Sequence, residues 1–87
     1  VHINLNSTVG NDVDIGDFST ISPGVHLSGN VHVGAEAFLG TGAVVINGKP
    51  GSPIVVGGAS TVAAGACVTR SVEPGALVAG VPAIRKR

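Results

Sequence analysis

The chain has 87 residues, of which 44% are apolar, but its only aromatic side chains are two Phe, and Met, Trp and Tyr are missing. Its formal net charge is zero, and without a broad basic stripe or aromatic surface for base stacking, nucleic-acid binding is disfavoured. No apolar run reaches the ~18 residues that suggest a membrane span. The single Cys67 excludes an internal disulfide and fits a reducing cytosol.

An apolar residue recurs every six positions along most of the chain. These markers are Ile3, Val9, Ile15, Ile21, Leu27, Val33, Leu39 and Val45, followed after an interruption by Val56, Val62 and Val68. An amphipathic helix would repeat about every 3.6 residues and a half-buried strand about every 2, so the period fits neither. It predicts short strands separated by tight turns. We therefore expect an all-β solenoid whose core consists of Val, Ile, Leu and Ala in many thin layers.

The residue after each marker is usually small. Gly follows the marker at Gly10, Gly16, Gly34, Gly40 and Gly57. A corner repeated this often brings backbones close together, so we expect these positions to be crowded and to adopt unusual φ angles.

Two departures from the repeat divide the chain. The segment NGKPGSP (47–53) displaces the next marker by five residues, which predicts an exposed loop leaving a corner. The repeat then breaks at Pro74. We expect a repeat domain over residues 1–73, with the loop at 47–53, and a cap with a basic tail over 74–87.

Three segments carry a family resemblance: HINLNSTVGNDVDIGDFSTISPGVHLSGNVHVG, AFLGTGAVV and PGALVAGVPA. They resemble the sialic acid O-acetyltransferase and UDP-amino-sugar N-acetyltransferase family, within the hexapeptide-repeat acyltransferase superfamily. The resemblance implies a left-handed parallel β-helix of about 3–4 triangular coils, stacked at the ~4.8 Å sheet spacing. It covers only the C-terminal prism of such enzymes. Because the chain also lacks Met, we expect Val1 to follow a longer N-terminal segment.

Three hexads per coil give the molecule a coordinate system, because residues 18 apart should then stack. Thr20 should lie between His2 and Phe38, all pointing outward, and Asn11 should lie over Gly29. The outward residues Phe38, Val44 and Val55 are apolar, which suggests a buried flat side. Together with the resemblance, this implies a homotrimer.

The catalytic position is where the chain departs from the family. There, a His followed by an acid acts as general base, and the acid raises the imidazole pKa. This chain has Asn11 and Asp12, and an Asn side chain cannot accept a proton near neutral pH. Three explanations stay open: an engineered or accidental change, a natural member that lost chemistry but kept binding, or a base supplied by another group.

The resemblance also implies an acetyl-CoA site. Gly29 would supply the backbone amide that faces the thioester carbonyl. Other residues would hold the rest of the molecule, with Thr20, Thr41 and Ala64 along the pantetheine arm and Arg85, Lys86 and Arg87 near the phosphates. The predicted function is acetyl transfer from acetyl-CoA to an amine or hydroxyl of a sugar or nucleotide sugar. The alternative is an inactive CoA-binding or trimerising scaffold.

The three histidines are the candidates for a substitute base. His2, His26 and His32 each precede a marker, so all should project outward, and their spacing places them on three different sides. His2 stacks next to Thr20, where some family members carry a His that contacts the cofactor, and His26 lies about one coil from Asn11. Their spacing does not suggest a metal site. Cys67 lacks an activating partner other than Arg70, so we expect it to be structural.

Overall fold

The computed structural model describes residues 2–3 and 7–87, without the side chain of His2. Short strands follow one another along this part of the chain: β1 (His2–Ile3), β2 (Thr8–Val9), β3 (Val13–Ile15), β4 (Thr20–Ile21), β5 (His26–Leu27), β6 (Val31–Val33), β7 (Phe38–Leu39), β8 (Val44–Val45), β9 (Ile54–Val56), β10 (Thr61–Val62), β11 (Cys67–Val68), β12 (Leu77–Ala79) and β13 (Ile84–Arg85). No helix capable of crossing a membrane occurs among these residues.

Strands three apart in the chain pair in parallel, except that β10 pairs with β12, and this wraps the chain around three flat faces. The first face contains β1, β4, β7, β10 and β12, the second β2, β5, β8 and β11, and the third β3, β6 and β9. At the end of the first face, β13 pairs antiparallel with β12. The predicted all-β parallel solenoid of triangular coils is confirmed.

The register follows the predicted 18-residue coil and then shifts at the predicted loop. Thr20 pairs with Phe38, and Asp14 with His32. Across the loop, Val45 pairs with Val68, five residues later than one regular coil would place it. The loop closes on itself through two backbone hydrogen bonds between Lys49 and Ser52, at 3.1 and 2.8 Å.

The last coil is two residues short, and the predicted position of this break, at Pro74, was wrong. Val56 bridges Val72, 16 residues on, so the missing residues fall between Val68 and Val72. An apolar Val72 fits an inward position in either register, which is why the sequence pattern did not reveal the shift. The coil continues past Pro74 through β12. The division into domains at residue 73 stays a prediction.

The core lies in the middle and later coils. Its fully buried members include Ile21, Leu39, Val45, Val56 and Val62, each at 0% exposure. Burial of a side chain of this size contributes about 1.5–3 kcal/mol. In the first coil, by contrast, Ile3 and Val9 remain 47% and 43% exposed.

Three columns of turns connect the faces. We call residues 10–12, 28–30 and 46–48, between the second and third faces, the Asn corner. Residues 22–24, 40–42 and 63–65, between the first and second faces, form the Gly corner. Residues 16–18, 34–36, 57–59 and 73–75, between the third and first faces, form the mixed corner.

The glycines after the markers are crowded, as predicted. A Cβ on Gly40 would lie 2.6 Å from the Ala64 nitrogen, and one on Gly10 would lie 2.9 Å from the Gly29 nitrogen. The unusual φ angles, however, occur two residues later, for example 57° at Asp12 and 74° at Gly42. The prediction that the post-marker glycines themselves need such angles was wrong, because they are selected by close backbone approach.

The apolar outward residues do not share one side. Phe38 lies on the first face, Val44 on the second and Val55 on the third. Phe38 and Val55 are exposed, and Val44 is half-buried. These three residues therefore do not mark a single flat interface.

Candidate functional site

The predicted catalytic residues lie on the Asn corner. Asn11 and Asp12 follow β2 and are both exposed. The Asn11 carbonyl accepts a hydrogen bond from the Asn30 N–H at 3.0 Å, which holds the two turns together. Within the described residues, neither the Asn11 nor the Asp12 side chain has a protein hydrogen-bond or ion-pair partner. Both are therefore free to contact a bound molecule.

Gly29 lies on the same corner, one coil from Asn11, but its backbone groups are both engaged. Its N–H donates to Asn47 Oδ1 at 3.1 Å. Its carbonyl accepts from the Gly48 N–H at 3.0 Å. The amide predicted to face the thioester thus already has an acceptor, which was not predicted from the sequence. An Asn 18 residues after Gly29 was the available signal.

The residues predicted to line the pantetheine arm lie elsewhere. Thr41 and Ala64 stack on the Gly corner, where the Thr41 carbonyl accepts the Gly65 N–H at 2.9 Å. Thr20 is half-buried on the first face. The second face lies between this group and the Asn corner. The structure therefore brings Asn11, Asp12 and Gly29 together and separates them from Thr20, Thr41 and Ala64.

The histidines lie on three different faces, as predicted from their spacing. On the second face, His26 Nδ1 lies 2.6 Å from the Thr8 hydroxyl. On the third, His32 Nε2 lies 3.5 Å from Asp14 Oδ2. The side chain of His2 lies outside the described residues. Both described imidazoles border the Asn corner, one on each side.

No group of three or more His, Cys, Asp or Glu side chains within residues 2–3 and 7–87 could hold a metal ion. The thiol of Cys67 is free and half-buried on the second face.

The basic tail is partly neutralised. Arg85 donates to Glu73 Oε2 at 2.8 Å, and both side chains are more than half exposed. Lys86 is exposed, and its backbone N–H donates to the Leu77 carbonyl at 2.7 Å. An ion pair this exposed contributes little to folding, so Arg85 can exchange its partner at low cost.

The last coil and residues 82–85 line a cavity of about 360 Å³ that the sequence did not reveal. Inward residues such as Val72 and Val78 form its wall, and Arg70, Glu73 and Arg85 are charged residues of its lining.

Solved and curated proteins resemble nearly the whole chain. GDP-perosamine N-acetyltransferase of Escherichia coli O157:H7 is 40% identical over 82 residues, 94% of this chain and 37% of that protein. WeeI from Acinetobacter baumannii AYE is 43% identical, with a TM-score of 0.95 over 97% of this chain and 40% of its own. The chain belongs to the hexapeptide-repeat acyltransferase superfamily. A left-handed parallel β-helix, as predicted, is the fold of these relatives.

A third similar protein was solved with bound ligands. A His-to-Asn mutant of perosamine N-acetyltransferase from Caulobacter crescentus was solved in complex with CoA and GDP-perosamine. It is 39% identical, with a TM-score of 0.88 over 97% of this chain and 38% of that one. No protein-family model matches the chain. The chain spans about two fifths of the length of the relatives it matches.

Proposed function

We propose that the chain is the acetyl-CoA-binding module of an acetyltransferase that acts on an amine or hydroxyl of a sugar or nucleotide sugar. The main support for this proposal is structural similarity to two solved proteins. WeeI matches with a TM-score of 0.95. The perosamine N-acetyltransferase bound to CoA and GDP-perosamine matches with a TM-score of 0.88. The exposed Asn11 and Asp12 beside Gly29 support the same conclusion, since they form a polar corner open to solvent.

The chemistry requires two things of the protein. An acceptor amine or hydroxyl has to lose a proton as it attacks the acyl carbonyl, and an N–H has to stabilise the charge on that carbonyl oxygen. Gly29 can supply the N–H once Asn47 releases it. Asn11 can orient the acceptor by hydrogen bonds but cannot take its proton. Acetyl-CoA supplies the thioester: its C–S bond breaks as the new C–N or C–O bond forms, and CoA leaves as the thiol, taking up a proton to balance the one that the acceptor lost. Arg85 and Lys86 are the cations proposed for its phosphates.

The missing base leaves binding intact in this proposal. The Caulobacter relative carries a His-to-Asn change and still holds both CoA and GDP-perosamine. If Asn11 stands where that His stood, this chain has the equivalent amide and should bind CoA. The base would then be lost, or provided by His26 or His32, which flank the corner.

A scaffold without chemistry is the second candidate. Two observations favour it: an amide occupies the base position at Asn11, and the Gly29 N–H is already paired with Asn47. Such a protein would keep the prism and its self-association without turnover.

We propose that the protein is a cytoplasmic homotrimer. The separation of the predicted site onto two corners supports self-association, and the single Cys67 fits a reducing cytosol. A second copy placed against the prism could supply Thr41 and Ala64 to the Asn corner of the first. Light scattering should give a mass near three times 8.5 kDa. A monomer that binds acetyl-CoA would contradict the shared site.

The decisive experiment measures acetyl-CoA binding by calorimetry and thiol release with a panel of amino sugars and nucleotide sugars. Asn11→His should raise transfer by about 10²–10⁴-fold, because a general base contributes that much. Asn11→Gln is the matched control, since it keeps an amide and should stay inactive. Binding without turnover in all variants would favour the scaffold, and no binding at all would refute the proposal.

A further inference from the structure

The loop at 47–53 is attached to the very residues that form the Asn corner. It leaves where the Gly48 N–H donates to the Gly29 carbonyl, and it returns where the Ile54 N–H donates to the Asn30 carbonyl at 3.1 Å. A Cβ on Gly48 would collide with the Asn30 carbonyl, so the backbone here is tightly seated. The base of the loop is therefore fixed relative to Gly29.

The Asn47 side chain differs from this fixed backbone. It is exposed, and its carboxamide oxygen accepts the Gly29 N–H at 3.1 Å. Rotation about its side-chain bonds would release the amide without disturbing the Gly48 or Ile54 hydrogen bonds. Asn47 is thus a movable acceptor on a rigid base.

One N–H cannot donate well to two acceptors. An acyl carbonyl that approaches Gly29 has to replace the Asn47 oxygen, whereas free CoA, which has no acyl group, does not. The net contribution of such a hydrogen bond corresponds to roughly a two- to tenfold change in a binding constant.

We propose that Asn47 gates the Gly29 amide: its side chain occupies the N–H in the unliganded protein and leaves when an acyl thioester binds. This inference rests on the proposed function. It makes Asn47 a positioning residue that lowers affinity for acetyl-CoA relative to CoA and couples the 47–53 loop to acyl binding.

The test compares the ratio of CoA to acetyl-CoA dissociation constants in several variants. Asn47→Ala removes the competing acceptor and should raise this ratio about two- to tenfold. Asn47→Asp strengthens the acceptor and should lower the ratio, because charge-assisted hydrogen bonds are stronger. Its added charge also repels the phosphates, but it does so for both ligands and cancels in the ratio. Ser52→Ala, in the same loop, should leave the ratio unchanged.

The Gly29 amide provides an independent measurement. In the free protein its proton resonance should shift, and its hydrogen exchange should quicken, in Asn47→Ala but not in Ser52→Ala. Acetyl-CoA binding with an unchanged ratio in both Asn47 variants would overturn the gate alone. Failure of every variant, and of the parent, to bind either ligand would overturn the proposed function and the gate with it.

Discussion

The Asn corner and the Gly corner make the same turn with different residues. At the Gly corner the position with positive φ is Gly24, Gly42 or Gly65, at 72–74°. At the Asn corner it is Asp12 or Asn30, both at 57°, whereas Gly48, where the loop leaves, is not at positive φ. Asn and Asp are among the few side chains that tolerate this region, so the Asn corner adopts the turn and still presents polar groups.

The mixed corner shows that positive φ alone does not mark a site. There the same position is held by Phe18, Glu36, Ala59 or Gly75, and Phe18 is 81% exposed. What distinguishes the Asn corner is its additional chemistry, namely the Asn47 bond to Gly29 and the attached loop. The difference between the corners therefore lies in side-chain contacts, and the variants below separate these from the demands of the backbone.

The largest expected effect on stability is at a glycine that packs closely against the backbone of the next coil. Gly40→Ala, on the Gly corner, should lower the free energy of unfolding by about 2–3 kcal/mol, because backbone cannot move aside as a side chain can. Gly29→Ala, on the Asn corner, should cost less, since its Cβ would lie 3.2 Å from the Asn11 oxygen, a milder contact. Urea denaturation of both variants measures the difference. Equal losses would show that the cost does not depend on how closely the facing backbone approaches the new Cβ.

A smaller effect tests the positive φ itself. Gly42→Ala should cost about 1–2 kcal/mol, although nothing lies within 4 Å of its Cβ, because an L-residue is strained there. Gly42→Asn should cost less, since it introduces the residue type that the Asn corner uses. Thermal denaturation ranks the two variants. If Gly42→Asn were as destabilising as Gly42→Ala, Asn would not tolerate positive φ better than Ala, and the explanation given for Asp12 and Asn30 at the Asn corner would be wrong.

Much of the prism follows from the sequence, because one inward residue per hexad fixes the register of the coils. The stacking of Thr20 on Phe38 and the five-residue shift at the loop were both predicted from marker positions. The two-residue shortening before Val72 was not, since Val fits an inward slot in either register. The residue types at Phe18 and Ala59 also do not reveal that φ is positive there, because Phe and Ala rarely adopt this region.

The site was less accessible to sequence reasoning. The resemblance suggested which residues matter, and the 18-residue coil places Asn11 next to Gly29. The bond from Gly29 to Asn47 depends on a side-chain rotamer, which no spacing encodes. The separation of Thr41 and Ala64 from Asn11 could have been found by counting hexads, since they fall at a different turn of the coil.

The mixed corner offers a stabilising change of about 0.5–1 kcal/mol. Ala59→Gly should raise stability, because relief of strain at a φ of 57° exceeds the entropy that Gly loses on folding. Ala64→Gly, an identical change at an exposed residue of the Gly corner without positive φ, should instead lower stability. Melting temperatures of the two variants should therefore move in opposite directions. A shift in the same direction would mean that strain at this position is negligible.

The smallest expected effect concerns the ion pair between Glu73, on the mixed corner, and Arg85 of the tail. Glu73→Gln breaks the bond to Arg85 but should change stability by less than about 1 kcal/mol, because exposed pairs contribute little. Its consequence should appear in binding: a released Arg85 is free for the CoA phosphates, so CoA affinity should rise a few-fold. Arg85→Gln, with equal loss of the pair, should lower that affinity. If the two variants shift CoA affinity alike, Arg85 acts only as the partner of Glu73, and the phosphate end of the ligand lies elsewhere.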